Sequence, residues 1–249
     1  MAFDDSRPAL LCAAHGVRPN CSVCPARGAC LVGGASRADT EAWNAALLPQ
    51  VPLAGAGRTL FETGASAEWL YVVRAGCLKA FTVDSEGEER VRGFFFPGDI
   101  IGLDSLGASR MQYTVASVTP AQLCRVPRTQ ALQILARTPE LARRLLERTS
   151  LGFAQAQALA GDFTAEERVA AFLMLMRDRL GGSTLRLPMT RRDIANYLRL
   201  ATETVCRVLT RFEKQGWIAL DARSIRLGAE PQLGRVAAPV GFGASQLAA

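Results

Sequence analysis

The chain has few of the residues on which hydrolases and membrane proteins depend. It contains one histidine, His15, in 249 residues, so a conventional Ser-His-Asp triad is not expected. It has no apolar run of about eighteen residues, the length that a membrane span needs. Its first residues, Met1-Ala2-Phe3-Asp4-Asp5, lack the basic and apolar regions of a signal peptide. We therefore expect a cytoplasmic protein that is not an enzyme and has no membrane partner.

The cysteines do not have the pattern of a disulfide framework. There are seven, an odd number with uneven spacing, and a reducing compartment disfavours disulfides. Cys21, Cys24 and Cys30 lie close together, whereas Cys124 lies far downstream. Thiolates suit iron–sulfur clusters and zinc, and a cluster takes four ligands, so Cys124 is the natural fourth if the fold brings it back. Zinc stays open, although its sites usually pair two short cysteine motifs.

Positive charge is concentrated near one end of the chain. The formal net charge is +6, and residues 186–226 hold nine basic and four acidic residues, a net +5. Such a concentration is typical of a polyanion-binding surface and favours a nucleic-acid partner. The alternative is a compositional bias toward arginine, since the only lysines are Lys79 and Lys214.

Residues 53–127 have the pattern of a small β-structure. Short apolar or alternating segments recur about every ten residues, with glycine turns between them, at 70–73, 77–83, 91–96, 112–118 and 122–126. This spacing predicts a barrel or roll. A short helix is predicted at 43–48, and the segment before it is predicted to be a loop that orders around a bound centre.

A long helix is predicted from Pro139 to about Ala160. Its start has a capping hydroxyl, a proline at the first position and an acid at the positive end. Leu141 and Leu145 form one stripe, which we expect to pack on the β-structure. A second stripe has coiled-coil spacing and predicts a weak dimer interface, which includes Leu146, Thr149, Phe153 and Ala156. The alternative is that the second stripe packs within its own chain.

The segment 162–228 has the pattern of a winged helix-turn-helix. A capping box at Thr164–Glu167 starts one helix, Thr190 starts a second, and a third runs from Thr202 to about Gln215. Residues 217–220 and 224–227 are predicted to pair as the hairpin of the wing. The tail at 229–249 is predicted to be flexible.

The third helix of this segment is the predicted DNA reader. Side chains near the start of a recognition helix reach base edges in the major groove. Arginine suits guanine and glutamate suits cytosine, so we predict Glu203 and Arg207 as base readers, with Cys206 beside them on the outward face. The predicted phosphate contacts are Arg191, Arg192 and Arg211. A winged module that docks a protein is the alternative.

Together these segments resemble the Crp/Fnr family of transcription regulators, over about residues 15–228. The matching motifs are Cys21–Cys24–Cys30, Gly98-Asp99 with Gly102, Leu123–Pro127, Ala165–Arg168 and Met189–Phe212. The resemblance implies an α+β chain in five parts: a cluster-binding segment (1–38), a cyclic-nucleotide-binding-like β-roll sensor domain (39–136), a dimerisation helix (137–161), a winged helix-turn-helix (162–228) and the tail (229–249).

Within the family, the cysteines are similar to those of the fumarate and nitrate reduction regulators. This resemblance implies an oxygen-labile [4Fe-4S] cluster on Cys21, Cys24, Cys30 and Cys124. It implies a homodimer that binds double-stranded DNA at a TTGAT-N4-ATCAA-like palindrome without oxygen and recruits RNA polymerase. Cyclic AMP is not an expected ligand, because Leu103 stands where cyclic-nucleotide binders have a glutamate.

Three departures and two alternatives accompany the resemblance. Cys206 replaces a hydroxyl that similar regulators use against DNA, and Arg199 replaces the usual glycine of the turn. Phe153 lies near the position where similar regulators have an aspartate in the dimer interface. One alternative is a DNA-binding regulator with a structural zinc or thiol-redox centre. The other is an iron–sulfur electron-transfer protein whose basic module is a docking surface, which no flavin or nicotinamide motif supports.

Overall fold

The computed structural model describes residues 18–222 and 224–241. The start of the predicted cluster-binding segment, Arg223 in the predicted wing and the end of the predicted tail lie outside the described residues. The chain divides into two compact units, with the boundary between Ser150 and Leu151. In the described part of the chain, no helix combines the length and apolar character needed to span a membrane.

The described part of the first unit contains two four-stranded antiparallel sheets. The strands are β1 (Leu48–Leu53), β2 (Thr59–Phe61), β3 (Trp69–Ala75), β4 (Leu78–Val83), β5 (Glu89–Phe95), β6 (Ile100–Ile101), β7 (Thr114–Ser117) and β8 (Ala121–Pro127). One sheet has the order β1-β8-β3-β6 and the other β2-β7-β4-β5. The predicted β-roll is therefore confirmed. The unpredicted strands β1, β2 and β6 are short or contain proline, which weakens the alternating pattern.

Successive side chains of β3 and β8 point to opposite faces of the first sheet, and both faces are buried. Val73 and Leu123 point into an apolar core that residues of both sheets share. Val72 and Cys124, which are paired in register, belong to a second core on the opposite face. Because successive side chains of a strand point to opposite faces, Cys124 lies on the outer side of the roll.

Three helices accompany the roll in the described residues: α1 (Arg37–Ala46), α2 (Arg128–Arg137) and α3 (Pro139–Ala160). The predicted long helix is confirmed as α3, and Leu141 is fully buried in the outer core with Leu145 packed against it. The short helix predicted at 43–48 exists as α1, but its predicted bounds are wrong. Ser36 caps it by accepting from Asp39 N, so it starts well before residue 43, and it ends at Ala46. The predicted boundary at 38/39 therefore falls inside a helix.

The second unit contains the predicted winged helix-turn-helix. Its helices are α4 (Ala165–Leu180), α5 (Arg191–Leu198) and α6 (Thr202–Lys214). A three-stranded antiparallel sheet forms the wing, in the order β10-β11-β9, from β9 (Thr184–Leu185), β10 (Ile218–Leu220) and β11 (Ile225–Leu227). Val205, Val208, Leu209 and Phe212 are buried on one face of α6, as the predicted apolar stripe requires.

The predicted flexible tail is wrong for residues 229–241. Helix α7 (Glu230–Ala237) and a 3-10 turn (Ala238–Val240) follow the wing and pack on α4. Leu233, Ala237 and Val240 are buried, at a helical spacing that the segment's glycine and prolines obscure in the sequence. The winged module therefore extends past residue 228.

Candidate metal centre and nucleic-acid interface

The four predicted metal-ligating cysteines line one cavity of the first unit. Cys21, Cys24 and Cys30 come from the loop before α1, and Cys124 comes from the outer face of β8. The cavity has an empty volume of about 340 Å³, which includes its opening to solvent. Cys24 is partly exposed and the other three thiols are buried. The fold thus brings together cysteines that are far apart in sequence.

The rest of the cavity wall is mostly apolar and carries two cations. Its apolar members come from the cysteine loop, α1 and β3, and include Val32, Trp43, Leu47 and Val72. The cations are Arg27 and Arg74. The wall can therefore exclude water from much of the site while opposing negative charge on the sulfurs.

Local hydrogen bonds shape the cysteine loop. Asn20 Oδ1 accepts from Ser22 N at 2.9 Å and caps a 3-10 turn over Cys21–Val23. A second 3-10 turn ends where Cys30 N donates to Arg27 O at 3.1 Å. From α1, Asn44 Oδ1 accepts from Cys21 N at 2.9 Å. Asn44 is a positioning residue that the sequence pattern did not indicate, because an amide beside Trp43 on a short helix has no distinctive signature.

Burial disfavours thiolates in this cavity. Burial and, to a smaller extent, the neighbouring thiols of the cavity raise the pKa of Cys21 and of Cys124 from 9.0 to about 12. Burial also raises the pKa of Cys30. Arg74 lowers the pKa of Cys21 and Cys124, but less than burial raises it. Without a bound cation these cysteines are thiols at neutral pH, so metal binding must release protons.

The arrangement of the thiols in the described residues is not that of a single-ion site. Within residues 18–222 and 224–241, no group of three or more His, Cys, Asp or Glu side chains is arranged to hold a single ion. A tetrahedral zinc ion needs its sulfurs about 2.3 Å from one centre. A cluster instead spreads its four cysteine ligands over several irons, so the two kinds of centre require different arrangements of the sulfurs.

Caps and a strained turn hold the helix-turn-helix. Thr190 Oγ1 accepts from Asp193 N, and Asp193 Oδ2 accepts from Thr190 N, both at 3.1 Å. Arg199 ends α5 in the left-handed region, with φ 57° and ψ 44°. Among the described residues it is the only non-glycine with positive φ. A Cβ in this conformation costs about 1–2 kcal/mol, so the turn keeps its geometry with a residue that disfavours it.

The predicted base readers lie together on the outer face of α6. Glu203, Cys206 and Arg207 are exposed. Arg207 Nη2 donates to Thr204 Oγ1 at 3.2 Å, which orients the guanidinium along the helix. This face is accessible to a groove and lies opposite the buried stripe.

The three predicted phosphate contacts differ in their surroundings. Arg192 is exposed. Arg191 is partly buried, and burial lowers its pKa while the nearby Cys206 acts in the opposite direction. Arg211 forms an ion pair with Glu166 in the first turn of α4. This partner was not predicted from the sequence, since the two residues lie on different helices.

The predicted dimer stripe is exposed along α3. The side chains of Leu146 and Phe153 are 70% and 65% exposed, and Thr149 and Ala156 are also exposed. Large apolar side chains exposed at coiled-coil spacing are what a helix-mediated interface requires.

Both units match families of known domains. Residues 54–138 match the cyclic nucleotide-binding domain, and residues 167–236 match the Crp-like helix-turn-helix domain. A β-roll joined to a reader of this type defines a two-domain transcription regulator.

Similar proteins agree with this class. The transcriptional activator protein FnrA of Stutzerimonas stutzeri is 31% identical over 216 residues, which cover 84% of this chain and 88% of that protein. The fumarate and nitrate reduction regulatory protein of Escherichia coli (strain K12) is 31% identical over 73% of this chain and 76% of that protein. The structure of FixK2 from Bradyrhizobium japonicum superposes with a TM-score of 0.69 at 29% identity, over 75% of this chain and 96% of that chain. The chain belongs to the Crp/Fnr family of DNA-binding transcription regulators.

Proposed function

We propose that the chain is an oxygen-responsive transcription regulator in which Cys21, Cys24, Cys30 and Cys124 hold a [4Fe-4S] cluster. The observation that carries the proposal is the convergence of these four cysteines on one largely buried cavity. The similarity to fumarate and nitrate reduction regulatory proteins supports it.

The donor set fits this group. Four thiolates are the usual ligands of a cluster, and Arg27 and Arg74 oppose their summed negative charge. When bound, the cluster supplies an oxidisable centre whose size and charge oxygen can change. The apolar wall around Trp43 limits the access of water, while the exposed edge at Cys24 leaves a route for a small gas.

In this proposal, the cysteine loop and α3 link the occupancy of the cavity to the strength of dimerisation. Three of the four cysteine ligands belong to one irregular loop, whose order depends on local hydrogen bonds and on what fills the cavity. Leu146, Thr149, Phe153 and Ala156 form the interface on α3. Only Leu146 and Phe153 are large apolar side chains, so association is weak enough to be switched. A homodimer places two readers on the half-sites of a palindrome.

The reader supplies the DNA specificity in this proposal. Glu203 and Arg207 read base edges, with Cys206 beside them, on a site resembling TTGAT-N4-ATCAA. Arg191, Arg192 and Arg211 contact phosphates. The bound dimer then recruits RNA polymerase to the promoter.

Cyclic AMP is not the effector in this proposal, because Leu103 stands where cyclic-nucleotide binders have a glutamate, and polar side chains of the roll bond to groups of the chain itself. Arg110 Nη1 donates to Gly64 O at 2.7 Å. Tyr113 Oη donates to Asp104 Oδ1 at 2.7 Å.

Anaerobic purification followed by metal analysis and a gel shift tests the proposed function. We expect about four irons and four sulfides per chain, and binding to the palindrome that is lost after exposure to air. A duplex with scrambled half-sites is the control. One zinc per chain, or binding that air does not affect, would contradict the oxygen switch and favour the structural-metal alternative.

A further inference from the structure

Helix α3 directs two arginines at the cysteine loop. Arg144 and Arg148 are one turn apart and continue the inward stripe of Leu141 and Leu145. Arg148 Nη1 donates to Gly98 O at 3.1 Å, and Arg148 Nη2 donates to Ala29 O. Ala29 directly precedes Cys30 in the chain, so a side chain of α3 holds the backbone next to a proposed cluster ligand.

The turn between β5 and β6 packs against the same carbonyl. Gly98 has φ +96°, and a Cβ at this position would lie 2.4 Å from Ala29 O. Asp99 Oδ2 fixes the turn by accepting from Phe96 N at 2.9 Å. The carbonyl of Ala29 therefore lies where the cysteine loop, the Gly98 turn and α3 meet, and the contact tolerates no extra side-chain atom.

The second arginine lies at the other end of the loop. A Cβ on Gly34 would lie 3.0 Å from Arg144 Nη2. Glu140 Oε1 orients Arg144 by accepting from its Nε at 2.8 Å. The segment from Ala29 to Gly34, which contains Cys30, is thus flanked at both ends by guanidinium groups of α3.

We propose that Arg148 is a positioning residue that couples the cysteine loop to the dimer interface on α3. The inference rests on the proposed function, because it assigns the route by which the state of the metal centre reaches that interface. Leu146 and Thr149 are within two residues of Arg148 on the same helix. A loop movement that withdraws Ala29 O removes an acceptor from a partly buried guanidinium, and loss of such an acceptor is costly. Helix α3 must then change its conformation or position next to the interface residues Leu146 and Thr149.

A coupling role and a merely structural role make different predictions. If Arg148 only stabilises the fold, its removal changes dimerisation equally with and without the metal centre. If it couples the two sites, its removal reduces the difference between these two states, because coupling is the change that one site makes in the equilibrium of the other.

The test compares Arg148→Leu with the unsubstituted chain and with Arg143→Leu as a matched control. Arg143 lies on the same helix, is exposed, and pairs with Glu140 and Glu147. Sedimentation equilibrium gives the dimer dissociation constant for anaerobic protein and for protein stripped by a chelator. We expect Arg148→Leu to reduce the ratio of the two constants about tenfold, the effect of one charge-assisted hydrogen bond, while Arg143→Leu preserves it. An unchanged ratio in Arg148→Leu overturns the proposal.

Hydrogen exchange of the loop provides a readout that does not require the metal centre. We expect the amides of residues 27–34 to exchange faster in Arg148→Leu than in the unsubstituted chain, in both states. If dimerisation of the unsubstituted chain does not respond to the centre, the proposed function fails. Unchanged exchange in Arg148→Leu would overturn the role of Arg148 itself.

Arg148→Lys keeps the test decisive if the leucine variant does not fold. Lysine keeps the charge but lacks the planar fork that serves two carbonyls at once. We expect the ratio of the two dimer dissociation constants in Arg148→Lys to lie between the ratios of the unsubstituted chain and Arg148→Leu. If Arg148→Leu does not fold, we expect the ratio in Arg148→Lys to be lower than that of the unsubstituted chain. A ratio equal to that of the unsubstituted chain counts against the two-carbonyl contact.

Discussion

The two units build their candidate sites in opposite ways. In the first unit, Cys21 and Cys124 meet only after a β-roll has formed, and they line a cavity that raises the pKa of both thiols to about 12. In the second unit, Glu203 and Arg207 lie on one exposed face of α6. Capping boxes and a buried apolar stripe hold that face without any bound group.

The difference shows where a switch is physically possible. The cysteine cavity is electrostatically incomplete, because buried thiols need a cation to become thiolates. The reader, in contrast, needs no bound group to hold its DNA-reading face in place. Under the proposed function, the response therefore belongs to the cysteine unit, where a bound group changes the charge of the thiols, and the fixed specificity belongs to the reader.

Removal of one cysteine ligand should produce the largest effect. Cys124→Ala takes away the ligand that β8 contributes, and a cluster lacking one of its four ligands is not expected to persist. We expect iron content to fall to background and anaerobic binding to the palindrome to fall by about a hundredfold or more, as dimerisation and DNA binding are linked. Iron analysis and a gel shift measure both.

The matched control for this prediction is Cys77→Ala. Cys77 is fully buried but does not line the cavity, so its removal should leave the iron content unchanged. Equal iron loss in both variants would mean that the effect came from unfolding. Full iron content in Cys124→Ala would remove this residue from the proposed centre.

A core substitution in the reader tests whether the two units are separable. Phe212 is 1% exposed, and replacement of a buried phenylalanine by alanine costs about 3–5 kcal/mol. We expect Phe212→Ala to lower the urea midpoint of the reader and abolish DNA binding. Iron content should stay at the unsubstituted level, because the cysteine cavity belongs to the other unit. Loss of iron in this variant would show that the units fold as one.

A base-reader substitution sharpens the distinction between specificity and affinity. Arg207→Ala should weaken binding to the palindrome by about 1–3 kcal/mol and relax the choice of base at one position. Arg186→Ala, also an exposed arginine of this unit, is the control and should keep base choice. Binding to sets of duplexes with single-base changes measures the effect. Equal weakening on specific and random DNA would instead make Arg207 a phosphate contact.

The strained turn offers a test in the stabilising direction. Arg199→Gly removes the Cβ from a residue with φ 57°, so the left-handed cost of about 1–2 kcal/mol is relieved, less about 0.5–1 kcal/mol of glycine entropy. We expect a net change of about 0 to +1.5 kcal/mol in the free energy of unfolding, that is, a gain of up to about 1.5 kcal/mol. Arg199→Ala keeps the Cβ and should show no such gain. A gain in both variants would trace the effect to the charge of Arg199 rather than to its backbone.

The sequence predicted the reader better than the cysteine unit, for a physical reason. The reader depends on local signals: capping residues at Thr164 and Thr190, and a helical apolar stripe that ends at Phe212. The cysteine set was identified from chemistry and resemblance, and the structure places all four in one cavity. The residues that contact these cysteines come from elements distant in sequence. No local sequence pattern predicts, for example, that Arg148 contacts Ala29 O.

The errors at helices α1 and α7 have different origins. Helix α1 was predicted too short because the capping signal at Ser36 lies in a segment of small residues. Helix α7 was missed because its buried residues Leu233 and Ala237 are interrupted by glycine and flanked by proline. Helix α1 contains four alanines and has good intrinsic propensity, so its error was a missed cap. Helix α7 contains Pro231 and Gly234, so its own propensity is weak and tertiary packing stabilises it.

The smallest predicted effect concerns the ion pair that occupies a predicted phosphate contact. Glu166 pairs with Arg211, and their side chains are 37% and 60% exposed, so the pair is worth about 0.2–1 kcal/mol at most. Glu166→Gln should release Arg211 toward DNA and strengthen binding about two- to fivefold on specific and random duplexes alike, since phosphate contacts carry no sequence information. Glu86→Gln makes the same charge change in an exposed turn of the other unit and should have no effect. Binding titrations at several salt concentrations distinguish a new phosphate contact, which steepens the salt dependence, from a general change in net charge. Weaker binding by Glu166→Gln would mean that the pair instead holds Arg211 in its productive position.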